Sequence, residues 1–169
     1  MTEIKMFTTR KATSVDSALI NTMAAEVFPA TYKQILSPKQ IDYMLNMMYA
    51  PENILKQMEE GHVYFICYND DKPCGYFSVE QDGDDLFHLQ KIYVLPIFQG
   101  YGAGKFLIKK AMEYIKEIHP SPCTMELNVN KHNKAFHFYE LMGLKKVREG
   151  DFPIGNGYYM NDYIMSIDI

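Results

Sequence analysis

A glycine-rich segment near the middle of the chain has the residue types and spacing of an anion site. It reads Gln99-Gly100-Tyr101-Gly102-Ala103-Gly104-Lys105, and it lies between a strand-like run and an amphipathic helix pattern. The first N–H groups of a helix have no intrahelical partner, and the helix dipole favours negative charge there. Because glycine also lets a phosphate approach the backbone, the segment predicts a phosphate loop at a helix N-terminus.

Two common phosphate loops do not fit this segment. A Walker A loop would need a glycine where Gln99 stands and a Ser or Thr where Phe106 stands, although Gly104 and Lys105 match its end. The dinucleotide pattern G-x-G-x-x-G fails because Lys105 or Leu107 occupies the third glycine position. What is left is Q-x-x-G-x-G after a strand, and a glycine-rich turn without a ligand is the alternative interpretation of the loop alone.

A second group of residues follows at a distance of about thirty positions. A strand pattern at about residues 123–129 leads into a helix that begins near Asn130 or Asn133. Asparagine is a good helix cap because its side-chain oxygen accepts an otherwise unpaired N–H. Ala135 and Tyr139 share one face of that helix. Gly143 stands where the helix end favours a left-handed residue.

The two motifs together resemble the coenzyme A motifs of the GNAT N-acetyltransferase superfamily. The resemblance covers residues 62–168 well, and the layout is loosely similar to bacterial polyamine acetyltransferases. It implies acetyl-CoA as co-substrate, with consecutive loop amides on the pyrophosphate, and a split between parallel strands that holds the cofactor. The cofactor-binding residues that it implies are Ile92, Tyr93, Val94, Gln99, Gly100, Tyr101, Gly102, Ala103, Gly104, Lys105, Asn128, Asn133 and Ala135.

The resemblance also implies how an amine would attack the thioester. Tyr139 matches the tyrosine that donates a proton to the departing thiolate, and its reference pKa near 10 lies above that of a thiol near 8.5. Many relatives carry a glutamate as base on the strand before the loop, where this chain has His88-Leu89-Gln90-Lys91. His88 is the expected substitute. Glu80, Glu126 and a solvent base are the alternatives, and a packed core tyrosine is the alternative for Tyr139.

Composition limits the other function classes. The 169 residues suffice for one domain, which we expect to span residues 1–169, and 47% of them are hydrophobic. A net charge of −4 argues against a nucleic-acid partner. We see no membrane helix and no signal peptide, so we expect no membrane association and a cytoplasmic location. The histidines and cysteines lack ligand spacing, which predicts that no metal is bound.

The expected function is acetyl transfer from acetyl-CoA to a primary amine of a small molecule, with a polyamine as one option. The acceptor could instead be an amino sugar, a peptide N-terminus or a protein lysine. A CoA-binding regulator without catalysis is the alternative class. A homodimer is also conceivable, because the strand-rich C-terminus could pair with a second chain.

The pattern of elements predicts an α/β (α+β) fold with a mixed, mostly antiparallel central sheet and helices on both faces. A first strand is expected at residues 4–9 and a helix from about 14 to 27, where Pro29 should end it. A second helix and a further helical turn fill residues 37–60. Three strands on short turns then form an antiparallel meander over residues 63–95. A glycine-rich turn at residues 150–157 should separate the last two strands, at 144–148 and 158–167.

Overall fold

The computed structural model describes residues 6–169 of the chain. Within this range the structure has seven strands and five α-helices. The strands are β1 (Phe7–Lys11), β2 (Val63–Asn69), β3 (Lys72–Gly83), β4 (Leu86–Val94), β5 (Thr124–Asn130), β6 (Lys145–Gly155) and β7 (Tyr158–Asp168). The helices are α1 (Ser17–Tyr32), α2 (Pro38–Tyr49), α3 (Pro51–Glu59), α4 (Ala103–Ile118) and α5 (Ala135–Leu141).

The strands form one sheet in the order β1-β2-β3-β4-β5-β7-β6. Within residues 6–169, β4 and β5 are the one parallel pair, and every other neighbouring pair is antiparallel. The predicted meander of β2, β3 and β4 and the mixed, mostly antiparallel sheet are therefore confirmed.

Helices cover both faces of the sheet, as predicted. Tyr76 and Phe77 are successive residues of β3, so their side chains point to opposite faces. The Tyr76 ring lies 5.9 Å from the ring of Tyr49 in α2. Phe77 stacks on Phe65, which in turn contacts Tyr114 of α4. The α1–α3 group and α4 therefore lie on opposite sides.

The parallel pair is short, and this leaves a split in the sheet. Residues Leu86, Phe87 and His88 pair with Thr124, Met125 and Glu126, but β4 continues to Val94 and β5 to Asn130 without further pairing. On its other edge, β4 carries an extra residue, since Leu89 pairs with Val79 and Lys91 with Ser78. A bulge of this kind bends its strand. The split that the family resemblance implied is thus present.

Two predicted boundaries were wrong, and part of a third cannot be compared. Helix α1 continues through Pro29 to Tyr32, because Phe28 and Tyr32 are buried and the Pro29 carbonyl still accepts from Lys33 N at 2.9 Å. Strand β6 extends through most of the expected turn, which is reduced to Asn156 and Gly157. Both of those residues have positive φ, the geometry of a two-residue hairpin turn. Residues 4–5 of the expected first strand lie outside the described residues.

None of the helices among residues 6–169 combines the length and the apolar character that crossing a membrane requires.

Gly75 on β3 controls how closely β3 approaches β4. A Cβ at this position would lie 2.5 Å from the Tyr93 carbonyl oxygen and 3.3 Å from Val94 Cα. We expect Gly75→Ala to destabilise the fold by about 1–3 kcal/mol, because backbone atoms of β4 must move. Thermal unfolding measures this loss, because each kcal/mol lowers the melting temperature by roughly 2–4 °C.

Gly83→Ala is the matched control for this prediction. Gly83 lies at the end of the same strand, and its added Cβ would make only an ordinary contact of 3.6 Å with Leu86. Equal melting temperatures for the two variants would contradict the close approach at Gly75.

Candidate functional site

A cleft of about 1080 Å³ opens where β4 and β5 separate. Its walls come from the end of α1, from β4 and the glycine-rich loop, from β5, and from the start of α5. Most of the sequence-predicted site residues line it. These are Ile92, Tyr93, Val94, Gln99, Gly100, Gly102, Ala103, Gly104, Lys105, Asn128, Asn133, Ala135 and Tyr139. The side chain of Tyr101 is exposed, and neither Tyr101 nor His88 is part of the cleft wall.

The glycine-rich loop has the geometry of an anion site. Gly100 and Gly102 have φ values of +87° and +88°, a left-handed conformation that favours glycine. Gly102 is the residue before α4, and its carbonyl accepts the first helical bond, from Phe106 N at 3.0 Å. The N–H groups of the intervening first turn are therefore free of intrahelical partners. A Cβ on either Gly100 or Gly102 would meet nothing within 4 Å, so the loop faces open space.

Gln99 and Gly104 connect this loop to its surroundings. Gln99 Nε2 donates to the Val94 carbonyl at 2.9 Å, which ties the loop to the end of β4. A Cβ on Gly104 would lie 3.3 Å from the Phe138 ring of α5. The two sequence motifs are thus in direct contact, because the absence of a side chain at Gly104 admits that ring.

Tyr139 lies at the end of the cleft, with 8% of its surface exposed. Burial, with a smaller contribution from nearby Tyr32, raises the pKa of its hydroxyl well above the ordinary value of 10. The hydroxyl therefore stays protonated at neutral pH. Two further tyrosines, Tyr32 and Tyr93, line the same wall, and their hydroxyl oxygens lie 3.3 Å apart.

Asn133 has the capping role that its residue type indicated. Its Oδ1 accepts from Ala135 N at 2.9 Å, at the start of α5. Asn133 also lines the cleft, and its side chain hydrogen-bonds to Tyr32 in the same wall.

His88 is 9% exposed and faces two carboxylates instead of the cleft. Its Nδ1 lies 3.7 Å from Asp82 Oδ2 and 3.6 Å from Glu126 Oε1. Arg148 Nη2 contacts both Glu126 oxygens, at 3.0 and 3.1 Å. Asp82, His88 and Glu126 are close enough to hold a metal ion, but the guanidinium competes for the Glu126 oxygens. The group is built as an ion-pair network, and the absence of a metal stays a prediction.

A second polar chain starts at Gln90, the bulge residue, which lines the cleft. Gln90 Nε2 donates to Glu80 Oε1 at 2.9 Å, and His62 Nε2 lies 3.3 Å from the other Glu80 oxygen. Burial, followed by the charge of Asp82, raises the pKa of Glu80. Sequence reasoning named Glu80 only as an alternative base and did not anticipate that Gln90 would connect it to the cleft.

Lys91 is a buried cation that sequence reasoning missed. Its Nζ donates to Tyr64 Oη at 2.8 Å and to Gln57 Oε1 at 2.9 Å, and it lies over the Tyr49 and Tyr64 rings. Burial lowers the pKa of Lys91 from 10.5 to about 7. No sequence signal could have found this site, since a strand lysine ordinarily faces solvent.

Comparison with known families identifies the fold that carries this cleft. The family model for the acetyltransferase (GNAT) domain matches residues 32–164. The chain belongs to the GNAT acetyltransferase family. The match confirms the resemblance carried by the two motifs, and it begins at Tyr32, within the region that the motifs did not cover.

Several relatives of this GNAT chain are named N-acetyltransferases. An uncharacterized N-acetyltransferase of Methanocaldococcus jannaschii is 31% identical over 100 residues, which is 55% of this chain and 42% of that relative. This chain thus spans about two fifths of that relative's length. An uncharacterized N-acetyltransferase of Mycobacterium tuberculosis is 24% identical over 152 residues, 89% of this chain and 96% of the relative.

The solved structures agree on the fold. The PaiA N-acetyltransferase of Thermoplasma acidophilum, crystallised with coenzyme A, superposes with a TM-score of 0.80 at 21% identity. The superposition covers 97% of this chain and 99% of that one.

We expect Gly102→Asp to weaken acetyl-CoA binding by at least tenfold, because it places negative charge beside the loop amides and the positive end of α4, where a phosphate would bind. Thermal melting with and without acetyl-CoA measures the change: a ligand at 100 times its dissociation constant adds about 2.7 kcal/mol. Gly157→Asp is the control, since Gly157 also has a positive φ of +78° and open space around its Cβ. An unchanged acetyl-CoA shift in Gly102→Asp would contradict the assignment of the loop.

Lys91 should make the stability of the protein rise with pH. Between pH 7 and 10.5 the unfolded chain carries a proton on Lys91 that the folded chain has lost, so the free energy of unfolding increases over that range. We therefore expect Lys91→Met to raise the melting temperature most at or below pH 7, with the gain shrinking toward pH 10. Lys109→Met, at an exposed position of α4, is the control. A gain that is constant with pH would contradict the lowered pKa of Lys91.

Proposed function

We propose that this GNAT protein transfers the acetyl group of acetyl-CoA to a primary amine of a small molecule, by direct attack within a ternary complex. The observation that carries the proposal is the cleft between β4 and β5, which joins the glycine-rich loop to Tyr139 and to the end of α1. A single cavity of about 1080 Å³ is large enough for both substrates.

The glycine-rich loop is the proposed pyrophosphate site. The free amides at the start of α4 supply donors, and the positive end of the helix supplies charge. Lys105 follows these amides in the first turn and lines the cleft, where its ammonium can reach a phosphate. Asn133 and Asn128, which has a partner on β7 but none on β4, also line the cleft and suit the amides of pantetheine.

The thioester is proposed to lie against β4 after the bulge. The residues Ile92, Tyr93 and Val94 have no β5 partner, so the backbone groups on that edge can meet the carbonyl and its developing oxyanion. Tyr139 then donates its proton to the departing thiolate. Holding amine and thioester side by side makes the attack effectively intramolecular, which can supply several kcal/mol of the barrier.

His88 is the proposed base, and it would act through solvent because it does not line the cleft. It occupies the last paired position before the split. Its Nδ1 lies beside the carboxylates of Asp82 and Glu126.

A cationic small amine fits the charges around this end of the cleft. No carboxylate among residues 6–169 lines the cleft itself, but Glu80 and Asp162 bond to Gln90 and Asn128, which do. A linear polyamine, which carries several ammonium groups, is the substrate class that we favour on this ground.

The same proposal places the protein in the cytoplasm, with no nucleic-acid or membrane partner. The described cysteines, Cys67, Cys74 and Cys123, are all free and buried, as is usual in a reducing compartment. We also propose that the protein forms a homodimer. Strand β6 lies at the edge of the sheet, where it can pair with a second chain.

The proposed activity is tested by acetyl-CoA turnover against a panel of amines, comparing the wild type with Tyr139→Phe. The panel holds monoamines, linear polyamines, an amino sugar, and peptides with a free N-terminus or a lysine. We expect wild-type turnover on polyamines, and a kcat at least about tenfold lower in Tyr139→Phe with an acetyl-CoA affinity that is nearly unchanged.

Tyr114→Phe is the control, because it removes a tyrosine hydroxyl on α4 that does not line the cleft. Full activity of Tyr139→Phe would remove Tyr139 from the mechanism. Binding of acetyl-CoA without turnover of any amine would indicate the alternative class, a CoA-binding regulator. Turnover of the peptides alone would replace the small-molecule acceptor by a protein.

A further inference from the structure

Asp162 on β7 is a buried carboxylate whose charge no cation neutralises among residues 6–169. It is 6% exposed, its Oδ1 has no hydrogen-bond partner, and its Oδ2 accepts from Asn128 Nδ2 at 3.2 Å. Burial raises the pKa of Asp162, against the opposing effect of the Asn128 bond. A buried charge with a single partner costs stability, so its presence calls for a physical reason.

Its partner Asn128 is an exposed residue in the middle of a sheet. Asn128 lies two positions beyond Glu126, the last β5 residue that pairs with β4. Because β4 has diverged there, the Asn128 side chain lines the cleft. The end of α1 lies close by. Burial chiefly, and the charge of Asp162 in addition, raise the pKa of Tyr32, whose hydroxyl in turn contacts Tyr93 in the cleft wall.

The chemistry of the carboxylate decides which way the Asn128 amide points. An ionised carboxylate can only accept hydrogen bonds, so Asn128 must turn its NH₂ group toward Asp162. The carbonyl oxygen of the same planar amide then points the other way. The cleft thus receives a hydrogen-bond acceptor at Asn128 that is backed by a negative charge at Asp162.

We propose that Asp162 is a positioning residue that holds Asn128 Oδ1 toward the cleft, where it accepts an N–H from the acceptor's primary amine. The inference rests on the proposed function and names the contact that selects an amine there. One N–H of the amine is fixed by Asn128, which leaves the nitrogen lone pair free to face the thioester.

The first test is the kinetics of Asp162→Asn with the best amine of the panel. The introduced amide can donate to Asn128 Oδ1. The Asn128 side chain is then free to turn its NH₂ group toward the cleft, where two N–H donors would face each other and the amine would lose its acceptor. We expect the amine KM to rise about tenfold, with kcat within about threefold and acetyl-CoA affinity within about twofold of wild type. The melting temperature should stay equal or increase, because a buried charge is removed.

Asp151→Asn is the matched control. Asp151 is an exposed carboxylate on neighbouring β6, and its substitution removes the same charge without touching Asn128. A comparable rise in amine KM in this control would mean that overall charge, and not the Asp162 contact, determines amine binding, which would overturn the proposal.

The second test is a double-mutant cycle with Asn128→Ala. If Asp162 acts through Asn128, the double variant should show no higher amine KM than Asn128→Ala alone. Additive effects would overturn the proposal, and so would an unchanged amine KM in Asp162→Asn. If Asp162→Asn does not fold, Asn128→Ala, at an exposed position, tests the proposal in its place. An unchanged amine KM in Asn128→Ala would equally overturn the proposal.

The wild type separates this inference from the function on which it rests. Turnover of amines by the wild type together with an unchanged KM in Asp162→Asn rejects the Asp162 role alone. A wild type that binds acetyl-CoA but acetylates no amine rejects the proposed function and the inference together.

Discussion

The divergence of β4 and β5 after the His88–Glu126 pair is the constraint on which the rest of the structure depends. If β4 and β5 both ended where their pairing ends, no backbone group facing the gap would lack a partner. Here both strands continue by several residues, and their N–H and C=O groups along the gap have no ladder partner. Unpaired backbone groups are costly when buried. A ligand that occupies the gap and bonds to them removes this cost, so the sheet is shaped to receive one.

Both walls of the gap are held in place by residues outside it. The bulge at Gln90 bends β4, and close packing on Gly75 fixes the other edge of the same strand. On the far side, the contact between Phe138 and Gly104 couples α5 to the start of α4. The phosphate loop and Tyr139 therefore sit on one connected framework, and a shift of either helix would alter the distance between the loop and the proposed acid.

The features that depend on the local spacing of residues could be predicted from the sequence, whereas those that depend on how strands pair could not. The loop from Gln99 to Lys105 and the helix carrying Tyr139 could be predicted, because glycine positions and helix caps are local signals. The same holds for the meander and for the mixed sheet. The long β6 was missed since its glycines suggested a turn, although the Asn156-Gly157 pair was the stronger hairpin signal. The role of Gln90 depends on a bulge that arises between two strands, and no residue type announces it.

Lys91 and Asp162 show why charged residues of the site were the hardest to predict. Each is a strand residue that would ordinarily face water, and each is buried because the helices of α1–α3 close over the face of the sheet on which the split opens. The two side chains do not pair with each other, since Lys91 bonds to Tyr64 and Gln57, and Asp162 to Asn128. If stability alone were selected, apolar residues would serve better at both positions. Their position on strands beside the gap is the arrangement expected of groups that serve the chemistry in the cleft at the expense of the fold.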